Sequence, residues 1–159
     1  MVTQPPHVLA IASAGGHWVQ LRRLSPAWAG CRVTYVSTDP QLRSGVLGDK
    51  RDAAEVRFFA VKDANRWQKL RLMVSLVQII WILLRTRPDV VITTGAAPGL
   101  FALHLAAIMG KRTAWIDSIA NAETLSLSGQ MAGGRCDLWL TQWENLAEPD
   151  GPSYSGSVI

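Results

Sequence analysis

Val8-Leu9-Ala10-Ile11-Ala12-Ser13-Ala14-Gly15-Gly16-His17-Trp18-Val19-Gln20-Leu21 is the stretch that decides the fold. Its first half is a continuous apolar run, the pattern of a strand covered on both faces. Two glycines follow, and a helix opens at once. Paired glycines allow a sharp turn and leave main-chain N–H groups open to a ligand. A helix starting there aims unpaired donors and a partial positive charge at one point, which suits a phosphate, a diphosphate or a developing anion. The turn has neither the G-x-G-x-x-G spacing of a dinucleotide fingerprint nor the G-K-[ST] ending of a P-loop. A plain strand-to-helix turn is the alternative.

Outward from this turn, strand and helix signals alternate. His7–Ser13 reads as the first strand, and Trp18, Leu21 and Leu24 give the helix after it. The β-branched run 32–38 ends at Asp39-Pro40 as a second strand, 41–54 is a loop or short helix, and 56–61 is a third strand. A long helix spans 65–87, with Asn65 able to cap it and Arg87-Pro88 ending it. A fourth strand over 89–94 closes on the loop Gly95–Gly99, and a helix follows over 99–109. Strands over 112–117 and 137–142 complete the series. Such alternation predicts an α/β fold: one Rossmann-like domain with a mostly parallel, doubly wound sheet over 1–149, and a loosely ordered tail over 150–159. Ligands of such sheets gather at the carboxyl ends of the strands. Three loops are therefore expected to converge there: Ala14–His17, Gly95–Gly99 and Asp117–Thr124.

Of 159 residues, 48% are hydrophobic and 18% charged, which excludes a disordered chain. Seven tryptophans are many for this length and suggest surfaces with one apolar and one wet edge. Residues 1–87 hold thirteen Lys/Arg against five Asp/Glu, and residues 88–159 hold three against seven. The basic half suits anionic lipid or an acidic substrate. Nucleic acid fits poorly, because no helix-turn-helix, RRM or zinc-finger pattern is present. Cys31 and Cys136 show no metal-ligand spacing, so no metal is expected and a reducing compartment is. Thr3-Gln4-Pro5-Pro6 and the short apolar run after it do not make a signal peptide, so the cytoplasm is the expected location.

In the long helix, Gln68, Arg71, Ser75, Gln78 and Arg85 form a narrow polar stripe, and nearly everything else over 70–84 is apolar. A helix covering a sheet needs an apolar arc of only about 100°. The surplus is either buried against another helix or subunit, or meets a membrane. The run is too short to cross a bilayer. It suits an interface, with Leu76, Ile80, Trp81 and Leu84 inserted and Arg66, Lys69, Arg71, Arg85 and Arg87 reaching anionic headgroups.

Several strings occur together and in order: Ser13-Ala14-Gly15-Gly16-His17, Pro88-Asp89-Val90-Val91-Ile92-Thr93-Thr94-Gly95, Asp117-Ser118, Glu123-Thr124-Leu125-Ser126-Leu127-Ser128-Gly129, Gln142-Trp143-Glu144 and Tyr154-Ser155-Gly156. In these the chain resembles the anchoring, acceptor-side subunits of the two-part UDP-N-acetylglucosamine transferases of dolichol-linked oligosaccharide synthesis, and their bacterial PssD-like relatives in exopolysaccharide and capsule synthesis. The resemblance implies the N-terminal half of a GT-B glycosyltransferase. It implies that this chain presents a polyprenyl-diphosphate-linked saccharide at the inner face of the plasma membrane. A donor-binding catalytic subunit would bring the UDP-sugar, and this half would be inactive alone. Membrane attachment would be peripheral, and no cofactor is implied.

Inverting glycosyl transfer needs a base for the acceptor hydroxyl. His17 is the first candidate, as base or as charge partner of the diphosphate, against a packing role at the helix start. Asp117 and Glu123 are further catalytic candidates, each with surface or capping roles as the alternative. Ser13, Gly15, Gly16, Gly95, Pro98, Gly99, Ser118 and Thr124 are expected to shape the acceptor and phosphate site. Gln142, Trp143 and Glu144 lie where the partner would dock, with Trp143 as anchor. His7 and His104 are expected to be satisfied core residues. Two other functions stay open: a non-catalytic scaffold recruiting the catalytic subunit to the membrane, and a stand-alone nucleotide-binding Rossmann enzyme.

Overall fold

The apolar run His7–Ile11 forms β1, buried along its whole length. Its side chains alternate between two cores, as a period of two requires. Val8, Ala10 and Ala12 join Trp18, Leu21, Val33, Tyr35 and Phe58 on one face. Leu9 and Ile11 join Val36, Ile79, Ile82, Leu83, Val91 and Ala102 on the other. These elements come from a computed structural model that describes residues 4–48, 53–63 and 68–158.

Beside β1 lie β2 (Arg32–Ser37) and then β3 (Glu55–Ala60); on its other side follow β4 (Val90–Thr93), β5 (Arg112–Ile116), β6 (Leu138–Thr141) and β7 (Ser153–Tyr154). Every pairing in this seven-stranded sheet is parallel. The chain turns back past β1 to form β4, so β1 and β4 flank the point where strand order reverses. The helices are α1 (Gly16–Arg23), α2 (Leu42–Gly48), α3 (Lys69–Thr86), α4 (Ala96–Ile108) and α5 (Leu127–Ala132). The expected α/β doubly wound architecture is the one observed.

Three details differ from expectation. The expected loose tail over 150–159 is tied down in its described part, 150–158: β7 pairs with β6 through Leu140–Ser153 and Thr141–Tyr154, and Ser157 Oγ donates to the Gln142 carbonyl at 2.7 Å. Helix α4 starts at Ala96, so Pro98 and Gly99 are buried helical residues and not loop. Six residues after Ser126 form α5, where no helix was expected. The proposed cap Asn65 and the cation Arg66 lie outside the described residues. Of the six described tryptophans only Trp81 is exposed; Trp18, Trp28 and Trp115 are core.

Helix α3 covers the sheet with an apolar inner face and keeps a second apolar face outside. Ser75 is buried among the apolar inner residues Ile79, Ile82 and Leu83, and Gln78 accepts from the Lys62 N–H at 2.7 Å. Leu70, Met73, Val74, Val77, Ile80, Trp81 and Leu84 face outward, Leu70 80% and Trp81 53% exposed. Leu76, expected on the outer face, is only half-exposed. Phe59 of β3 meets the Trp81 ring edge-on at 5.8 Å, and the Arg85 guanidinium lies 5.8 Å from the ring centre.

Candidate functional site

The strand-order reversal brings the turn after β1 against the turn after β4. Gly15, at φ +83°, stands just before α1, and its left-handed backbone is one that side chains disfavour. Both Gly15 and Gly16 are exposed, and Ser13 is half-buried beside them. The Ala14 N–H is taken by Thr38 Oγ1 at 3.0 Å, so the donors left at this rim are those opening α1.

His17 bridges the two turns. Its Nδ1 bonds the Thr94 carbonyl at 2.8 Å, and Thr94 Oγ1 donates back to the His17 carbonyl at 2.7 Å. A carbonyl only accepts, so Nδ1 carries the hydrogen and, in the neutral ring, Nε2 keeps the lone pair. That tautomer suits a general base. Gly95, at φ +130°, lies against the ring: a Cβ there would be 2.7 Å from His17 Cε1. Ala96 then enters α4 at φ +66°, a strained conformation for a residue with a side chain. Two glycines directly after an apolar run made the first turn legible; nothing marked Thr94 as its partner except its place at a strand end.

The third loop is tied down from four sides. Asp117 is fully buried and does not face the rim. Its carboxylate accepts from Ser126 Oγ at 2.6 Å, Ser126 N–H at 2.9 Å, Asn121 Nδ2 at 3.3 Å and Trp115 Nε1 at 3.3 Å. With both oxygens engaged it orients the loop and is unavailable as a base, which corrects the expectation. Ser126 in turn caps α5 by accepting from the Gly129 N–H at 2.9 Å. Ser118 is also buried, its Oγ accepting from Gln20 Nε2 at 3.1 Å and from the Ala120 N–H at 3.3 Å. Glu123 and Thr124 are exposed on the outer part of this loop.

Gln20 is the residue sequence reasoning missed. Its amide, buried on α1, accepts from the Ile119 N–H at 3.0 Å and from Gln142 Nε2 at 2.7 Å. Gln142 Nε2 also donates to the Asp117 carbonyl at 2.8 Å, and its Oε1 accepts from the Val158 N–H at 2.9 Å. Gln142 therefore points inward and is no docking residue, contrary to expectation. Trp143, half-buried, donates from Nε1 to the Ile119 carbonyl at 2.8 Å, while Glu144 is exposed. The signal for Gln20 was available: it follows His17 by three residues, so both lie on one side of α1.

His7 is a satisfied core residue: Nδ1 donates to the Thr86 carbonyl at 3.0 Å and Nε2 accepts from Thr34 Oγ1 at 2.8 Å. His104 is partly exposed, its Nε2 on the Met131 carbonyl at 3.2 Å. Among the described residues no cluster of three or more His, Cys, Asp or Glu could hold a metal, and no helix is long and apolar enough to cross a membrane.

MurG of Acinetobacter baumannii has a similar fold, with TM-score 0.72 and 13% identity over 95% of this chain. This chain covers 46% of MurG's length. A putative UDP-N-acetylglucosamine 2-epimerase of Listeria monocytogenes matches with TM-score 0.61 and 11% identity, over 88% of this chain and 40% of that one. Two relatives carry the name UDP-N-acetylglucosamine transferase subunit ALG14. The Eremothecium gossypii protein is 27% identical over 91% of this chain and 75% of its own length. The Yarrowia lipolytica protein is 31% identical over 90% of this chain and 76% of its own. Residues 56–158, which hold the Glu123–Gly129 string and Gln142-Trp143-Glu144, match the family described as oligosaccharide biosynthesis protein Alg14 like. By the resemblance first seen in those strings, and by the match across them, the chain belongs to that Alg14-like family.

Proposed function

We propose that this chain is the acceptor-side half of a glycosyltransferase made of two polypeptides, inactive without its donor-binding partner. The partner brings a UDP-sugar, and this chain presents a polyprenyl-diphosphate-linked saccharide at the cytoplasmic face of the membrane. The observation that carries the reading is His17, held between the glycine turn and the strand-order reversal with Nε2 free to accept a proton. In this scheme Nε2 takes the proton of the attacking acceptor hydroxyl, and the N–H groups opening α1 face the acceptor diphosphate. The outward face of α3 rests on the membrane, with Ile80, Trp81 and Leu84 among its contacts. Trp143 and Glu144 lie on the side offered to the partner, and the exposed Glu123 and Thr124 border the acceptor.

The test is His17→Ala and His17→Gln in the pair reconstituted with its partner. A general base contributes about 10²–10⁴-fold in rate, so kcat falls by at least a hundredfold while the two chains still co-purify. Full turnover in an assembled His17→Ala pair refutes the catalytic role and leaves the scaffold reading.

A further inference from the structure

A second recess opens on the same edge of the sheet, one loop away from the glycine turn. It encloses about 380 Å3 and is lined chiefly by Thr38, Pro40, Val61, Lys62, Arg71 and Gln78. Thr38 forms a wall shared with the turn, because its Oγ1 accepts the Ala14 N–H at 3.0 Å. The Gln78 carbonyl oxygen is occupied by the Lys62 N–H at 2.7 Å, which leaves the amide NH2 as the group it can offer. Among the described residues neither Lys62 nor Arg71 is in an ion pair, and the one bond of Arg71 is a long 3.5 Å contact to Gln68. Asp63 stands at the same mouth, so the lining carries two positive charges against one negative.

Thr38 hydroxyl, Lys62 ammonium, Arg71 guanidinium and Gln78 amide make a set of donors suited to a tetrahedral oxyanion. The apolar side chains exposed nearest to Arg71 along α3 are Leu70, Met73 and Val74, so the recess opens where the apolar face begins. We infer that this recess is a phosphate subsite for an amphiphile, the phosphate held by Lys62 and Arg71 and the hydrocarbon chain laid along α3. It deepens the acceptor reading and rests on it. The phosphate is that of the lipid-borne acceptor.

The test uses the full chain with geranyl diphosphate and inorganic diphosphate as probes, followed by amide chemical shifts. Geranyl diphosphate produces saturable shifts at Thr38, Lys62 and Gln78 and binds at least tenfold more tightly than inorganic diphosphate. Lys62→Ala with Arg71→Ala, both at exposed positions, weakens it at least tenfold. Co-sedimentation with phosphatidylcholine vesicles containing phosphatidylglycerol then separates the sources. Vesicle binding that falls in the double variant assigns bulk headgroups and overturns the acceptor subsite; vesicle binding unchanged while geranyl diphosphate binding is lost supports it. Both unchanged, or shifts confined to Gly15 and Gly16, overturns the subsite without touching the His17 result.

Discussion

Gly99 owes its identity to Thr93. A Cβ at position 99 would overlap Thr93 Oγ1, and that hydroxyl accepts the Gly95 N–H at 3.1 Å. The small residue therefore fixes the turn that presents Gly95 to His17. Overpacking at such a contact costs about 1–3 kcal/mol. Gly99→Ala is expected to lower the unfolding free energy by that amount, read as a lower denaturant midpoint, and to move the His17 ring resonances; an unchanged midpoint with unmoved resonances sinks the account. Residue by residue, the sequence exposed the glycine turn because its elements are adjacent in the chain. It hid the roles of Asp117 and Gln20, whose partners lie 9 and 98–122 residues away. A carboxylate after a strand reads as a ligand-edge acid until the hydrogen bonds that bury it are known.

At the scale of elements, the strands were plain wherever both faces are covered, since β1 and β2 are runs of apolar and β-branched residues. The short elements were not. Strand β7 has two residues, Ser153 and Tyr154, both exposed, and it belongs to the sheet only through backbone pairing that leaves no pattern in side chains. In α4, Pro98 and Gly99 imitate loop chemistry, yet a proline fits the first turn of a helix because no intrahelical bond is lost there. For α3, composition posed the question and the fold resolves its orientation: the outer face is largely apolar and, among the described residues, uncovered. Ile80→Glu with Trp81→Glu is expected to leave the circular dichroism native while lowering stability by about 1–2 kcal/mol, since Trp81 gives up its edge contact with Phe59. The same double change is expected to abolish co-sedimentation with anionic vesicles. Wild type and variant sedimenting alike would remove the membrane from the proposal.

For the molecule as a whole, His7 marks the seam where β1, β2 and the end of α3 meet. Burial, and then the nearby Arg32 charge, lower its pKa below the ordinary 6.5. Folded His7 therefore stays neutral where the unfolded chain begins to take up a proton. Its contribution is complete above about pH 6.5 and is lost as pH falls from there toward the lowered value. Denaturant midpoints measured from pH 8 to 5 are expected to fall in the wild type, and the fall is shallower in His7→Gln; parallel slopes would remove His7 as the cause.

The apolar outer face of α3, left over after Ile79, Ile82 and Leu83 have covered the sheet, sets yield against purpose. A laboratory selection rewarding only abundant, freely dissolved protein would drift toward charged replacements along 70–84. It would be choosing a better-behaved solute by erasing the side of the molecule that has somewhere to be.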